Sequence, residues 1–380
     1  MLEAKILQNL VSIEKSTFPV TSAYFMLDHL AGNRKHHIIE LKKQIRYKKE
    51  TTYFKQLTEA EQSSVLADFE KIIGFYSEGI DPAETVSAIC FSSHGSGFWQ
   101  TITLKRPLKY NELVIQPLPY IRPLVTFFSL HSNYGVVLID RTKARIFKST
   151  LGEFRELFAV NENAPESIKV GGFKGRQERR VERNIHEAIL QHYKQIAQKV
   201  FEFYQQSNFE WLILGGRRES MNEFVRYLHA YPASKIAGYL EIEPAAPLSE
   251  VLEKVKELEV QARATYENKL FDDLLAKQQK GLVLDGIQAI VPKLLDNWLE
   301  TLYIQENFHI KGVFCRYCDF LGLTPEAKCP IHGSPLERTN DLVEQILHRA
   351  LKSGTNVNFI EGEMDKYGGI AALLRFALGG

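Results

Sequence analysis

Three of the four cysteines in this chain crowd into one short segment, Cys315-Arg-Tyr-Cys318 followed by Cys329-Pro-Ile-His332. The spacing C-x2-C-x10-C-x2-H supplies two ligand pairs, each from a single turn, joined by a short loop. Tetrahedral zinc asks a backbone for that arrangement, so residues 315–332 are predicted to form a compact knuckle around Zn2+. Four protein ligands leave no position for water, which makes the predicted ion structural. A reduced, metal-free loop and a labile disulfide are the alternatives. The fourth cysteine, Cys90 in Ala-Ile-Cys-Phe, reads as a buried strand residue. Four cysteines cannot staple a 380-residue chain, so a disulfide scaffold is excluded.

The rest of the chain alternates helical and strand patterns, which places it in the α/β class. Two proline-rich breaks divide it. Pro117-Leu-Pro-Tyr-Ile-Arg-Pro123 interrupts regular structure. Glu243-Pro-Ala-Ala-Pro247 does the same and precedes Ser249, a candidate N-cap for a long polar helix. Three domains are predicted, at 1–130, 131–246 and 247–380. In the first, helices are expected near 33–55 and 58–77, with strands at 23–28, 86–92, 98–104 and 113–116. In the second, 136–139 and 144–147 read as a hairpin across Asp140–Lys143. A polar segment ending in glycines then leads into a long helix near 177–206, and Trp211-Leu-Ile-Leu214 reads as a buried strand. The third alternates helices with apolar strands around Val313 and 357–360. No apolar stretch approaches bilayer length and the N-terminus lacks a secretory signal, so a soluble cytoplasmic protein is expected.

The formal charge is only +1, which excludes indiscriminate coating of nucleic acid. Its distribution is uneven. Residues 1–246 hold 32 Lys and Arg against 27 Asp and Glu, and residues 247–380 hold 15 against 19. The densest positive region is 169–183, with six basic residues and two acidic ones. On a helix Arg176, Arg179, Arg180 and Arg183 follow i, i+3, i+4, i+7 and form one stripe, with Lys194 on the same side. Val181, Ile185, Ala188, Ile189 and Ile196 fall opposite and would pack on a sheet. Such a ridge suits bidentate phosphate contacts, and an ordinary solvated helix face is the plainer alternative. Beside it, Gly171, Gly172, Lys174 and Gly175 form a loop able to approach a ligand closely. No Gly-Lys-Ser/Thr ending follows, so this is not a Walker loop. A second basic stretch, 34–49, carries Tyr47 with Tyr53 nearby, a candidate RNA contact through base stacking.

Taken in order along the chain, these motifs resemble the bacterial archaeo-eukaryotic release factor family, relatives of Pelota and of the archaeal and eukaryotic termination factors. The resemblance rests on Tyr134-Gly-Val-Val-Leu-Ile-Asp-Arg-Thr-Lys-Ala-Arg-Ile-Phe147, Gly171-Gly-Phe173 and the arginine-rich helix to His192-Tyr193. It continues through the Cys/His knuckle, Asp341-Leu-Val-Glu344 and Gly368-Gly-Ile-Ala-Ala-Leu-Leu-Arg375. In the first third it rests on Ser22-Ala-Tyr24, Phe98-Trp99 and Arg122-Pro-Leu124.

The resemblance implies a ribonuclease-H-like middle domain and a last domain similar to kink-turn-binding ribosomal proteins, with the zinc knuckle inserted. It makes the ribosome, tRNA and a translational GTPase the candidate partners, with no membrane. In full family members a Gly-Gly-Gln tripeptide positions water against the ester joining peptide to tRNA. Here Gly171-Gly172 precede Phe173 and the nearest glutamine is Gln177, which becomes the candidate catalytic residue for peptidyl-tRNA hydrolysis. The family's Asn-Ile-Lys-Ser codon motif is absent. The expectation is therefore a ribosome-associated, release-factor-like protein handling or hydrolysing peptidyl-tRNA, with ribosome rescue as its candidate setting. The alternative is a non-catalytic ribosome- or RNA-binding factor acting by occupancy. A nuclease would need clustered carboxylates for two magnesium ions, and Asp140 stands alone at its strand end.

Overall fold

A computed structural model describes residues 2–13, 18–27, 36–81, 85–130, 133–150, 153–161, 176–207, 209–315, 317–318, 320–324 and 328–377. The chain divides into two compact units, Met1–Leu130 together with Leu274–Gly380, and His131–Asp273.

The first unit opens with α1 (Leu2–Val11), β1 (Val20–Met26), α2 (His36–Glu50), α3 (Thr52–Gln56) and α4 (Glu59–Glu78). It continues through β2 (Ser87–Ser93), β3 (Phe98–Leu104), β4 (Glu112–Gln116) and α5 (Arg122–Leu130). The strands form an antiparallel sheet ordered β3-β2-β1-β4. Helix α4 starts where a capping box satisfies its first amides. Thr58 Oγ1 accepts from the Glu61 amide, and Glu61 accepts from the Thr58 amide at 2.8 Å. Val65, Phe69, Ile72 and Tyr76 then recur at helical spacing and are buried with Phe25, Leu41, Ala88 and Cys90. Cys90 is fully buried, as its sequence context predicted, and burial pushes its thiol pKa far up. Pro123 sits in the first turn of α5, where its missing N–H leaves no hydrogen bond unmade. The proline-rich break thus ends in a helix that its composition did not announce.

The second unit comprises β5 (Tyr134–Ile139), β6 (Lys143–Thr150), β7 (Glu153–Asn161), α6 (Arg176–Ser207) and β8 (Trp211–Gly216). After it come α7 (Arg218–Val225), α8 (Ala230–Ser234), β9 (Ile236–Leu240) and α9 (Leu248–Gln278), whose last turns pass out of this unit. The sheet runs β7-β6-β5-β8-β9. Its first three strands pair antiparallel, and β8 lies parallel to both β5 and β9.

Both β5 and β8 are buried along their whole length because the sheet is covered on two faces. Val137, Ile139, Leu212 and Leu214 pack with Tyr193, Ile196 and Val200 of α6. Val136, Leu138 and Ile213, on the other face, pack with Val251, Val255 and Ala262 of α9. Each Val, Leu or Ile side chain among them contributes about 1.5–3 kcal/mol on full burial. Gly216 closes β8 at φ 148°, and a Cβ there would meet the Ile139 carbonyl oxygen at 2.2 Å. Helix α9 begins two residues earlier than a Ser249 N-cap indicates. Leu248 opens it and the Val251 amide donates to Pro247 at 3.1 Å, so Ser249 lies inside the first turn and is not the N-cap.

The remainder of the first unit contains β10 (Val283–Asp285), α10 (Ile287–Leu295), β11 (Leu299–Gln305), β12 (Gly312–Phe314), β13 (Leu321–Gly322) and β14 (Glu337–Thr339). It ends with α11 (Val343–Lys352), β15 (Asn356–Ile360) and β16 (Ile370–Leu374). One sheet is ordered β10-β16-β11-β15, with the fully buried Ile-Ala-Ala-Leu-Leu of β16 inside it. A small sheet, β13-β12-β14, carries the Cys/His segment.

Buried charge ties the two halves of this unit. Arg122, 5% exposed, pairs with Asp341 and donates to the Phe308 carbonyl at 2.7 Å and the Glu306 carbonyl at 3.2 Å. The Glu344 carboxylate accepts from the amides of Ile121 and Arg122 at 2.8 and 3.0 Å, satisfying the start of α5. His348 completes the cluster, 2.8 Å from the Pro119 carbonyl and 3.2 Å from Glu344.

Candidate metal centre and basic helix

The knuckle brings its four predicted ligands together. The ligand atoms of Cys315, Cys318, Cys329 and His332 all lie within 4.8 Å of one another. Cys318 Sγ and Cys329 Sγ are 3.7 Å apart, and Cys315 Sγ is 3.5 Å from His332 Nε2. A tetrahedral ion with Zn–S and Zn–N bonds of about 2.3 and 2.0–2.1 Å requires edges of about 3.8 and about 3.6 Å. The donor set therefore fits a closed tetrahedral site, and the sulfur separation rules out a disulfide between Cys318 and Cys329.

The backbone holds this shape through local hydrogen bonds. Cys315 donates its amide to Phe320 at 3.0 Å and Cys329 donates to Ser334 at 2.7 Å. Gly333, at φ 72°, turns the chain after His332. Burial pushes the Cys315 thiol up, but hydrogen bonds from the Ser334 hydroxyl and from the Tyr317 and Cys318 amides outweigh it and bring the thiol down to about 6. The thiolate that this lowering favours is the form of cysteine able to ligate a metal. Burial, opposed by the Phe320 amide and reinforced by the neighbouring sulfurs, leaves Cys318 pushed up to about 11. A dication would relieve that crowding of sulfur charge.

Ser334 is a residue that ligand spacing alone does not reveal. Its hydroxyl lies 3.1 Å from His332 Nδ1 and 3.5 Å from Cys315 Sγ. The contact occupies Nδ1 and leaves Nε2, 3.5 Å from Cys315 Sγ, as the nitrogen that could ligate an ion. The signal available in sequence is a hydroxyl two residues beyond the histidine ligand, which is too common to single out.

The arginine-rich segment is helical from Arg176 onward, so Arg176, Gln177, Arg179, Arg180 and Arg183 all belong to the first turns of α6. Arg183 and Lys194 are exposed. The side chains of Arg176, Gln177, Arg179 and Arg180 lie outside the described residues, as do Gly171, Gly172, Lys174 and Gly175. On the opposite face Ile196 is buried and Ile189 is partly buried against the sheet, as predicted. Ala188 is exposed, and Tyr193, Ala197 and Val200 complete the packed stripe. The drift follows from 3.6 residues per turn, which rotates the buried line over a helix this long.

Two further sequence readings find their places. Asp140 Oδ1 accepts the amides of Thr142 and Lys143 at 2.7 and 2.6 Å, so its carboxylate builds the β5–β6 turn. In the basic helix α2, Tyr47 is exposed and Lys49 lies over the Phe69 ring at 5.9 Å. Arg122-Pro-Leu124 and Asp341-Leu-Val-Glu344, which enter the resemblance as separate motifs, meet across 219 residues of sequence to form the buried ionic cluster.

Residues 119–259 match the family model described as bacterial archaeo-eukaryotic release factor family 10. Peptide chain release factor subunit 1 of Methanocaldococcus jannaschii is 27% identical over 304 residues, covering 68% of this chain and 69% of the relative. The protein of the same description from Methanococcoides burtonii is 24% identical over 293 residues, covering 68% and 70%. Among solved structures, an archaeal translation termination factor aligns over 99% of this chain and 97% of its own, at 15% identity and TM-score 0.28. Archaeoglobus fulgidus Pelota aligns over 77% and 80%, at 18% identity and TM-score 0.31. In sequence, then, the chain is similar to the release factors that its motifs resemble. Among the described residues, no helix is long and apolar enough to cross a membrane.

Proposed function

We propose that this chain is a ribosome-associated, release-factor-like protein of the cytoplasm that handles or hydrolyses peptidyl-tRNA, in ribosome rescue. The observation that carries this reading is the family match, which overlies the second unit, where a 32-residue helix begins in the basic segment. In this reading Arg176, Arg179, Arg180 and Arg183 grip ribosomal or tRNA phosphates while the 171–177 segment approaches the ester, where Gln177 orders the attacking water. A translational GTPase is the partner expected to deliver it.

The architecture supports the same reading in three parts. A mixed sheet in which three antiparallel strands are continued by two parallel ones supports a ribonuclease-H-like middle domain. The small sheet carrying the Cys/His cluster between β11 and α11 supports an inserted knuckle in a last domain similar to kink-turn-binding ribosomal proteins. The ligand distances support Zn2+, which would brace the knuckle without taking part in chemistry.

The test is peptide release from peptidyl-tRNA on purified ribosomes, with wild type compared with Gln177→Ala. Release that falls on substitution supports the mechanism, and equal rates remove Gln177 from it. Salt-sensitive ribosome binding without release would assign the protein to action by occupancy.

A further inference from the structure

Helix α2 is fastened to the first unit along one face. His37, Leu41 and Ile45 are buried there, the last two in the core that holds Phe25 and Val65. Gln44 reaches the edge strand β4, donating to the Asn111 carbonyl at 3.1 Å and accepting the Leu113 amide at 2.8 Å. Both carboxylates of the helix are engaged. Glu40 accepts from Gln44 at 3.3 Å and from Asn111 Nδ2 at 2.6 Å, and Glu50 pairs with Lys55 at 2.9 Å. Of the five Lys and Arg in the helix, Lys48 is half-buried and acts on Glu112, countering the upward push that burial gives that carboxyl.

The other four, Lys42, Lys43, Arg46 and Lys49, are exposed. Helical spacing sets them in two adjoining rows, with Lys42, Arg46 and Lys49 in one and Ile39, Lys43 and Tyr47 in the next. From Lys42 to Lys49 the charged part of the face spans about 10 Å, at 1.5 Å per residue. Lys49 also lies over the Phe69 ring at 5.9 Å, which steadies its ammonium without neutralising it. Ile39 is 61% exposed and Tyr47 69%. Cations in line beside an exposed ring are the two parts of a sequence-tolerant single-strand site, charge for the backbone and an aromatic face for a base.

We propose that this face of α2 binds a single strand of RNA, with its phosphates against Lys42, Lys43, Arg46 and Lys49 and an unpaired base against Tyr47. Charge and stacking supply the affinity, so the contact does not read base sequence. An anionic membrane fits less well. A helix that lies on lipid buries its apolar face there, and the apolar face of α2 is already occupied by the core. An acidic peptide would satisfy the cations but brings no base for Tyr47. The choice of RNA rests on the ribosomal reading above and adds to it an auxiliary contact in the unit that does not carry α6.

The experiment uses the full chain and a fluorescein-labelled oligouridylate carrying one 4-thiouridine. Anisotropy reports affinity, and irradiation cross-links the thiobase to what it touches. Peptide mapping should place a cross-link on α2 at Tyr47, in wild type and equally in a parent whose Arg176, Arg179, Arg180 and Arg183 are changed to Gln. In that parent Tyr47→Ala should remove the α2 cross-link and weaken binding about 5- to 150-fold, the range for loss of one stacking ring. Tyr47→Phe should keep both. Lys42→Gln combined with Arg46→Gln should lower affinity and reduce the salt slope by about 1.4, the value for two single-strand phosphate contacts. These side chains are exposed, so circular dichroism should show the variants folded as the parent is. Cross-links confined to other segments, or Tyr47→Ala and the double variant binding as the parent does, overturn the proposal. So does displacement of the probe by phosphatidylserine vesicles or oligoglutamate as readily as by unlabelled oligouridylate, which would make the face a lipid or peptide site. Ribosome sedimentation measured in parallel separates the two ideas. Sedimentation without an α2 cross-link defeats this contact alone, and an α2 cross-link without sedimentation defeats the ribosomal reading alone.

Discussion

Replacing Arg122 with Ala should destabilise the first unit far more than breaking a surface ion pair that joins the same two segments. The guanidinium is 5% exposed and satisfies Asp341 and the carbonyls of Phe308 and Glu306 together. Removing one member of a buried pair costs about 3–5 kcal/mol, because the partner keeps its charge but loses its compensation. Asp341 retains 24% exposure of its side chain and has His309 at 3.4 Å, so the loss belongs near the lower end, about 3 kcal/mol. The Lys109–Glu306 pair, at 2.9 Å, also bridges the two segments, but the Lys109 side chain is 61% exposed. Lys109→Ala should therefore cost under about 1 kcal/mol. For a unit of this size each kcal/mol moves the thermal midpoint by about 2–4 °C, so Arg122→Ala should lower it by about 6–12 °C. Thermal unfolding followed by circular dichroism reads both variants under one condition. Equal midpoints for Arg122→Ala and Lys109→Ala would refute the assignment of a buried ionic lock.

Cys318→Ser should reduce bound zinc in freshly purified protein to below about half an equivalent per chain, and metal analysis showing no loss would count against the knuckle. Ser334→Ala should leave the four ligands in place yet weaken zinc binding about 10- to 100-fold, measurable by competition with a chelating dye. The hydrogen-bonded Arg145 guanidinium holds the Glu156 carboxyl below its ordinary value of 4.5, through contacts of 2.9 and 2.8 Å. In the window below 4.5 the unfolded chain therefore binds more protons than the folded one. The contribution is present above that pH and is lost as pH falls through the lowered value, with an amplitude under about 1 kcal/mol because the pair is part-exposed. Glu156→Gln should flatten the acid slope of stability in urea titrations at stepped pH, and an unchanged slope would contradict the pairing.

Much of the second unit was legible in the sequence because its signals are local. The hairpin at β5–β6, the long α6 and the run Trp211–Leu214 each declare themselves within a few residues. Strand β7 did not, because a bulge between Ile146 and Phe147 shifts its pairing and leaves Leu157 39% exposed, so its apolar positions do not alternate cleanly. The gathering of Cys315, Cys318, Cys329 and His332 was equally legible, since ligand pairs are spaced along the chain by the geometry of one turn. Its tuning by Ser334 was not, because that depends on where a hydroxyl points. The packing of the first and last segments into one unit rests on contacts such as Arg122 with Asp341 and Ile121 with Glu344, more than 200 residues apart. Nothing in local periodicity encodes such a pairing. Even so, the four residues concerned lie in or beside motifs that the resemblance had already isolated.

The near-neutral total charge and the basic start of α6 make opposite forecasts for RNA, and one measurement decides between them. Purified protein is centrifuged with 70S ribosomes through a cushion at several salt concentrations, alongside a variant carrying Arg176, Arg179, Arg180 and Arg183 all changed to Gln. The account predicts that wild type pellets with ribosomes, that raising salt releases it, and that the variant stays in the supernatant. Wild type that remains in the supernatant at low salt, or a variant that pellets as well as wild type, would contradict it.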